Sequence, residues 1–312
     1  MDPVIRRGDT ISILNMKKQS AQTAFTLLEL SLVVLFVGIL LVGVLQGSKL
    51  VSIIRVNSAQ SLTQSSPVGT IKDLVLWLEP TTSGSFAKEY PSDGEQLAQW
   101  NNRAANVNTK YYAVTTASPA ITYKEKGPIY NLPSVYFSGA NSGYFTISTT
   151  NSLSGISPIV SQNNNAFTFF AVVKSDAVGA NGSALFSNGD VSGYSYILSN
   201  SGERKLVFTG STISTVATAT KNPEIISVTY VGGNDGEVKL YTNGVAETLD
   251  VNTATATTPL IGLYIGGNSS NMPWTGYISE VILFNRILNK ADRSLVEKYL
   301  GQKYNINVKT NS

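Results

Sequence analysis

Residues 167–174 read Phe167-Thr168-Phe169-Phe170-Ala171-Val172-Val173-Lys174, a run of aromatic and β-branched side chains of the kind that is enriched in strands. Similar runs recur on both sides of it, and each is bounded by residues that favour turns. We predict strands over 74–78, 134–137, 167–174, 183–186, 194–198, 205–208, 225–231, 237–241 and 277–285. Because residues 67–312 contain no second long apolar run or charge block, they are predicted to form one large all-β sandwich or barrel.

Two tight turns and one helix complete this picture. Gly233-Asn234-Asp235-Gly236 and Asn243-Gly244 each follow a predicted strand, and their residues favour tight turns. After the last strand, Asn289 is suited to cap a helix and Asp292 to stabilise its first turn. The apolar face of that helix is predicted to consist of Ala291, Leu295, Val296, Tyr299 and Leu300.

The composition excludes several kinds of function. The 312 residues include no cysteine and no histidine, which excludes a thiol nucleophile, a Cys/His zinc site, a disulfide framework and a Ser-His-Asp triad. The formal net charge of +3 arises without a concentrated basic tract, so we expect no nucleic-acid partner. A charged fraction of only 14% with abundant glycine is typical of an exported β-protein.

The N-terminal region contains one long apolar segment. From Ala24 to Leu45 the single ionisable side chain is Glu29. At about 1.5 Å per residue a helix of this length is about 32 Å long, close to the hydrocarbon thickness of about 30 Å. The basic residues are concentrated before the segment: Arg6, Arg7, Lys17 and Lys18 precede it, whereas Lys49 and Arg55 follow. This asymmetry predicts a membrane span with the N-terminus inside and the bulk of the chain outside.

Glu29 is unusual in such a segment. A carboxylate inside an apolar helix is costly in lipid unless a cation neutralises it. No basic residue lies within a helical turn of Glu29. We therefore expect its partner to come from another chain or from a newly created α-amino group.

The segment Ala24-Phe25-Thr26-Leu27-Leu28-Glu29-Leu30, preceded by a short basic leader, resembles the signal of type IV prepilins and type II secretion pseudopilins. The resemblance implies that a prepilin peptidase cuts between Ala24 and Phe25 and methylates the new N-terminus of Phe25. It also implies that Glu29 pairs with the terminal amine of a neighbouring subunit. The family usually has Gly where this chain has Ala24. Family leaders are often short, so Met16 is the expected true start.

This resemblance implies three regions and a location. Residues 1–24 are the expected leader, 25–66 the hydrophobic helix and stalk, and 67–312 the head. The expected location is the bacterial inner membrane, crossed once with a cytoplasmic N-terminus, followed by a periplasmic or extracellular filament. The expected partners are the prepilin peptidase, other pilin or pseudopilin subunits and the inner membrane. The alternatives are a type II secretion pseudopilin and a membrane-anchored lectin-like protein that does not polymerise.

The head resembles a laminin-G-like, or concanavalin A-like, jelly roll. The resemblance follows the order of LVLWLE at 74–79, QWNN at 99–102, LPSVYFSG at 132–139, FTFFAVVK at 167–174, YTNG at 241–244 and WTGYISEV at 274–281. The closing helix, ending at 296–300, also fits. The implied fold class is mainly β: an N-terminal transmembrane or filament-core helix, a two-sheet jelly-roll sandwich and a C-terminal helix. A head of this size suggests a minor or tip subunit.

The candidate binding residues of the head are of two kinds. Trp77, Trp100 and Trp274 have rings that could stack on sugars, but we expect them in the sandwich core because they occupy fold-defining segments. Four loop residues could offer oxygen atoms to a glycan or to calcium: Asn188, Asp190, Asn268 and Asn271. Neither loop has the acidic series of a dedicated calcium site. We therefore expect no cofactor, with calcium binding by these loops as the alternative.

Catalysis is not expected. Glycoside hydrolysis needs two placed carboxylates, and related hydrolases carry a Glu-x-Asp-x-x-Glu strand motif that this chain lacks. We therefore expect a non-enzymatic head that binds a surface glycan or a protein, with adhesion as its role.

Overall fold

The computed structural model of the protein describes residues 26–104, 111–115, 120–140, 143–148, 158–160, 166–176, 183–187, 195–198, 202–208, 211–233, 235–254, 260–261, 263–267 and 272–309. The chain divides into two compact units, Met1–Leu50 and Val51–Ser312. Helix α1 is Leu27–Gln64, so its last turns belong to the second unit. A short 3-10 helix follows at Pro67–Thr70, and helix α2 is Lys290–Tyr304.

The strands of the second unit account for most of its regular structure. They are β1 Leu74–Leu78, β2 Gln99–Asn101, β3 Tyr112–Val114, β4 Ile121–Lys124, β5 Ser134–Ser138, β6 Phe145–Ser148, β7 Pro158–Val160, β8 Phe167–Ser175, β9 Ser183–Ser187, β10 Ser195–Leu198, β11 Glu203–Phe208, β12 Ser211–Thr218, β13 Glu224–Tyr230, β14 Gly236–Thr242, β15 Val245–Ala246, β16 Thr253–Ala254, β17 Leu260–Ile261, β18 Tyr264–Ile265 and β19 Thr275–Phe284. Every strand predicted from the sequence is present, with bounds within two residues of the prediction.

In the described part of the chain, these strands form two large antiparallel sheets. Sheet A has nine strands, with the path β15-β14-β13-β8-β19-β5-β4, β1 pairing with β19 and β16 with β14. Sheet B has eight strands in the order β12-β11-β10-β9-β18-β6-β3-β2. A separate pair joins β17 and β7. The predicted class, mainly β with a two-sheet jelly-roll sandwich, an N-terminal apolar helix and a C-terminal helix, is confirmed.

Strand β8 explains why the sequence around residues 167–174 is almost entirely apolar. Phe167, Phe169, Ala171 and Val173 belong to the main core cluster, which side chains of both sheets build. Phe170 and Val172 belong to a second core cluster that also contains residues of α2. A strand in the middle of a sheet with both faces covered shows a continuous apolar run instead of an alternating pattern.

The second core cluster covers the part of the outer face of sheet A that β1, β8, β13 and β19 form. Val296, Tyr299 and Leu300 of α2 are buried in it, as is Ala59 from the last turns of α1. The predicted cap of α2 is confirmed, since Asn289 Oδ1 accepts a hydrogen bond from Asp292 N at 2.8 Å.

The predicted apolar face of α2 is wrong at two positions. Ala291 and Leu295 are exposed, whereas Lys303 and Tyr304 are buried. The buried face therefore includes residues 296, 299, 300, 303 and 304. Lys303 and Tyr304 can be buried because their polar ends have the partners described below.

In the first unit, α1 is an apolar helix without a covering layer. Every side chain that the structure describes between Thr26 and Val44 is exposed. The helix is long and apolar enough to cross a membrane. In soluble proteins an apolar helix is normally covered, so this surface needs lipid or protein around it.

Both predicted tight turns connect antiparallel strands. β13 pairs with β14 across residues 231–235, where Gly232, Gly233 and Asp235 have φ values of 87°, 76° and 53°. Asn243 and Gly244, with φ values of 51° and 79°, join β14 to β15 in the two-residue geometry that requires positive φ at both positions.

We expect Gly244→Ala to destabilise the head by about 2–3 kcal/mol. Part of the cost is the positive φ, and the rest is a clash, because an added Cβ would lie 2.8 Å from Lys309 O and from Val308 Cγ1. Gly84→Ala is the matched control, since Gly84 has φ +80° with open space around it and should cost about 1 kcal/mol. Urea unfolding of the two variants measures the difference, and equal losses would contradict the clash.

Candidate functional site

The predicted processing site lies at the start of α1. Ala24 and Phe25 fall outside the described residues, and the described chain begins at Thr26. Thr26 and Glu29 form a reciprocal capping box. Glu29 N donates to Thr26 Oγ1 at 3.2 Å, while Thr26 N and Thr26 Oγ1 donate to Glu29 Oε2 at 2.8 and 3.0 Å. Glu29 therefore helps to fix the first turn of the helix.

The capping box gives Glu29 a local role that the sequence analysis did not consider. Both hydrogen bonds to the carboxylate are accepted by Oε2, and neither involves Oε1. A negative charge in the first turn is also stabilised by the helix macrodipole. The cationic partner that we expect for Glu29 stays a prediction.

The four candidate loop residues lie outside the described residues: Asn188, Asp190, Asn268 and Asn271. The described residues that precede them in sequence are close together, because β9 pairs with β18. Ser187 Oγ donates to Gly267 O at 3.0 Å, and these two residues directly precede the two loops. In the described ranges, no group of three or more Asp, Glu, His or Cys side chains is placed to hold a metal ion. A calcium or glycan role for the loops stays a prediction.

The three tryptophans are structural, as predicted. Trp77, Trp100 and Trp274 are all buried, with exposed fractions of 5%, 0% and 1%. Trp100 Nε1 donates to Glu79 O at 3.2 Å, and Trp77 Nε1 donates to Glu280 Oε1 at 2.7 Å. Their rings cannot serve as platforms for a sugar.

The bonds of Trp77 and Trp100 lead to a buried group of charged and aromatic residues, which we call the Lys303 cluster. It consists of Trp77, Glu79, Glu280, Tyr299, Lys303 and Tyr304. Lys303 Nζ lies 3.1 Å from Glu79 Oε2 and 2.8 Å from Glu280 Oε2, and all three side chains are fully buried. This cluster could not be predicted from the sequence, because partners such as Glu79 and Lys303 are 224 positions apart.

Each carboxylate of the cluster is held by several donors. Glu280 accepts hydrogen bonds from Trp77 Nε1, Tyr299 OH and Tyr304 OH as well as from Lys303. Glu79 accepts from the backbone N–H groups of Thr81 and Thr82 at 2.9 and 3.0 Å and from Ser85 Oγ at 3.0 Å. Arg103 Nη1, 3.8 Å from Glu79 Oε1, supplies a second positive charge. Buried charges are tolerated when they are paired and hydrogen-bonded in this way.

A β-bulge turns Glu280 toward the cluster. The pairing of β19 with β8 shifts register between Ile278 and Glu280. Ile278 and Val281 both face the main core, and the extra residue between them places Glu280 on the outer face of sheet A, where α2 packs. Without the bulge, alternation along the strand would point Glu280 into the apolar core.

The electrostatic balance favours the charged forms. Burial alone would raise the pKa of Glu79, but the Lys303 ammonium and the hydrogen bonds from Thr81 and Thr82 lower that pKa to about 2. Burial acts to lower the pKa of Lys303, and the Glu280 carboxylate outweighs it, so the pKa lies well above its ordinary value. Two carboxylates around one ammonium, all without contact to solvent, form a structural network and not an acid-base pair open to substrate.

A second feature lies where the last turns of α1 meet the head, and we call it the helix-base groove. Its volume is about 330 Å³. It is lined by Ser52, Ile53, Val56, Asn57, Gln60, Pro80, Thr81, Thr82, Phe86, Glu89, Tyr90, Pro91, Tyr123, Glu125 and Pro133. Gln60 Nε2 donates to Thr81 O at 2.8 Å and ties the two walls together. All of these residues belong to the unit Val51–Ser312.

A comparison with protein families identifies the jelly roll. The family described as the concanavalin A-like lectin/glucanases superfamily matches residues 134–292, half of the chain. The chain belongs to this superfamily. This sandwich fold occurs both in binding proteins and in hydrolases, so the function of this superfamily member depends on its individual sites.

Three solved structures are similar to this superfamily member. Trypanosoma rangeli sialidase is 18% identical; the match covers 74% of this chain and 33% of the sialidase, with a TM-score of 0.42. Domain 4 of AbnA, a GH43 extracellular arabinanase from Geobacillus stearothermophilus in complex with arabinotriose, is 14% identical; the match covers 72% of this chain and 97% of that domain, with a TM-score of 0.45. The binding domain of Paraclostridial Mosquitocidal Protein 1 is 14% identical; the match covers 73% of this chain and 52% of that structure, with a TM-score of 0.45. The chain thus spans about a third of the length of the sialidase. A separate comparison with curated proteins finds no match to this chain.

We expect Lys303→Met to destabilise the head by about 3–5 kcal/mol, because it leaves two buried carboxylates without their ammonium. Lys298→Met is the matched control, since Lys298 is exposed on the same helix and should change stability by less than about 0.5 kcal/mol. Urea unfolding followed by tryptophan fluorescence compares the two. A loss below about 1 kcal/mol for Lys303→Met would mean that the cluster is not needed for stability.

The stability of the head should also fall at low pH. The pKa of Glu79 is about 2 in the folded protein against an ordinary value of 4.5, so the folded state releases this proton more readily than the unfolded state. Its stabilising effect, up to about 3 kcal/mol, is complete above the ordinary pKa and is lost as the pH falls toward the folded value. Urea midpoints between pH 5 and pH 2 should fall more steeply for the wild type than for Glu79→Gln. Parallel curves would contradict the assignment.

Proposed function

We propose that this chain is a type IV pilin-like subunit, of the minor or tip kind, that displays a lectin-like binding head on a surface filament. The observation that carries the proposal is α1, a continuous helix whose apolar first part is exposed while its last turns are built into the head. An exposed apolar helix can be stored in a bilayer and later packed against the same helix of other subunits. The resemblance of residues 24–30 to prepilin signals supports this use of the helix.

The proposal includes processing and location. The prepilin peptidase would cut between Ala24 and Phe25 and methylate Phe25, leaving the helix and stalk at 25–66 and the head at 67–312. Before assembly the chain would sit in the bacterial inner membrane with a cytoplasmic N-terminus, and afterwards in a periplasmic or extracellular filament. The proposal also gives Glu29 a role in assembly, for which Oε1 is the available atom: it takes part in neither bond to Thr26 and can accept a hydrogen bond from a neighbouring subunit.

We further propose that the head binds its ligand without chemical conversion. Glu79 and Glu280, the two carboxylates brought together by Lys303, are fully buried. A hydrolase needs one carboxyl group to protonate a leaving group and another to act on the sugar or on water, and both must reach the substrate. A surface glycan or protein is the proposed ligand, with no cofactor.

The capping box also favours a second candidate function, a membrane-anchored lectin-like protein that does not polymerise. Thr26 satisfies part of the carboxylate of Glu29 within its own chain, which reduces the need for a partner in a neighbouring subunit. The two candidates differ in whether the negative charge of Glu29 is needed.

N-terminal mass analysis of the protein isolated from its host membrane tests processing. We expect a chain that begins with N-methylated Phe25, because the segment from Ala24 to Leu30 matches the prepilin pattern. An uncut leader, or an unmethylated N-terminus at another residue, would exclude the prepilin proposal.

Two substitutions of Glu29 separate the candidate functions. Glu29→Gln keeps a capping-box side chain but removes the charge, whereas Glu29→Ala removes both. If the charge pairs with a neighbouring amine, both variants should be depleted from sheared filaments while the folded head remains in the membrane fraction. Incorporation of Glu29→Gln at the wild-type level, with loss confined to Glu29→Ala, would limit Glu29 to helix capping.

A further inference from the structure

We propose that the helix-base groove binds a sugar unit that carries no acidic group, as part of a surface glycan. This inference rests on the lectin-like part of the proposed function and names its site and ligand class. The groove is distinct from the loops after Ser187 and Gly267, which begin at one end of sheet B.

The size and construction of the groove suit a small ligand. Ligand pockets have volumes of about 300–1,000 Å³, so a groove of about 330 Å³ accommodates a short segment of a glycan and not a folded partner. One wall is the last part of α1, with Asn57 and Gln60, and the other is the chain that follows β1. The hydrogen bond from Gln60 Nε2 to Thr81 O holds these walls in place.

The apolar part of the groove offers a ring to stack on and a rigid base behind it. Tyr90 lines the groove and is 69% exposed, so its ring is accessible, and an aromatic face packs well against the apolar face of a pyranose. Phe86 is buried beneath, with ring centroids 5.5 Å from Tyr123 and 5.9 Å from Trp100. Because these rings are already packed without ligand, binding needs little reordering at the base.

The polar part supplies hydrogen-bond acceptors. Glu89 accepts a hydrogen bond from Ser83 Oγ at 2.6 Å through Oε1, which orients its carboxylate. The backbone N–H of Glu125 donates to Asp93 Oδ1 at 2.9 Å, and its side chain is exposed. Carboxylates accept the hydroxyl protons of sugars, and Asn57 and Gln60 add amide groups.

The charge of the groove selects among sugars. Glu89 and Glu125 are acidic, and no Lys or Arg is among the described residues that line the groove. Lys88, the neighbour of Glu89 in sequence, pairs with Glu95 at 2.6 Å instead. The guanidinium of Arg103 contacts Thr82 at the edge of the groove but is also paired with the buried Glu79 at 3.8 Å. An ionised sialic or uronic acid would therefore meet two carboxylates in the lining, so it is disfavoured relative to neutral and amino sugars.

The test uses the full chain in nanodiscs, because many detergents carry sugar head groups. The probes are lactose and sialyllactose, which differ by one acidic sugar, and galactose and galacturonate oligomers as a second pair. We expect binding of the neutral member of at least one pair, about tenfold tighter than its acidic counterpart at low salt. The preference should shrink as salt is raised, since exposed carboxylates are screened.

Substitutions then assign the binding to the groove. Tyr90→Ala should weaken binding of the neutral probe about tenfold, whereas Tyr90→Phe keeps the ring and should stay close to wild type. Asn57→Ala should weaken it severalfold, and Ser58→Ala is its control on the same helix, because Ser58 is exposed and does not line the groove. Glu89→Gln combined with Glu125→Gln should reduce the discrimination against sialyllactose.

The outcomes distinguish this inference from the proposed function. Binding of a neutral probe that Tyr90→Ala and Asn57→Ala leave unchanged would overturn the groove and leave the lectin-like head in place. Tighter binding of the acidic probes would also overturn the proposed ligand class and leave the lectin-like head in place. Absence of binding to every probe would overturn the inference and count against a glycan-binding head, while the filament role would be judged by the N-terminus of the mature chain and by the Glu29 variants.

Discussion

The ammonium of Lys303, held between the carboxylates of Glu79 and Glu280, adds a buried ionic connection between parts of the head that the second core cluster also joins. Lys303 belongs to α2, Glu280 to β19 and Glu79 to the chain just after β1. Removing one charge from such a buried set costs more than the set contributes when intact, because the remaining charges lose their partners. The cluster thus specifies one docking position for α2 among the many that a purely apolar contact would allow.

The position of α2 in turn determines which part of sheet A a ligand can reach. With α2 and the end of α1 on its outer face, the middle strands of sheet A, such as β8 and β13, are buried on both sides and belong to the core. A ligand can then reach the outer strands of sheet A, the sheet ends, sheet B or the edges where helix and sandwich meet. The helix-base groove lies at such an edge, which is why it combines residues of α1 with residues from the chain after β1.

Much of the fold could be predicted from the sequence, and the parts that could not share a physical cause. Strands such as β8 and β13 are long and apolar and are therefore visible in the sequence. Strands β2 and β3 have only three residues each, and β12 is rich in Ser and Thr, so the hydrophobicity of these three segments does not differ from that of a loop. The tight turn at Asn243-Gly244 was predictable because its chemistry is local. The Lys303 cluster and the groove were not, since each joins residues that only the tertiary fold brings together.

The embedding of α1 also sets the route by which mechanical load enters the head. Thr63, near the end of α1, lies 3.3 Å from the hydroxyl of Tyr299, and that hydroxyl donates to Glu280. The last turn of α1 is therefore linked through Tyr299 to the Lys303 cluster, and a pull on it would act on β19 and α2 together. A ligand in the helix-base groove would act on the same helix, because Asn57 and Gln60 line one of its walls.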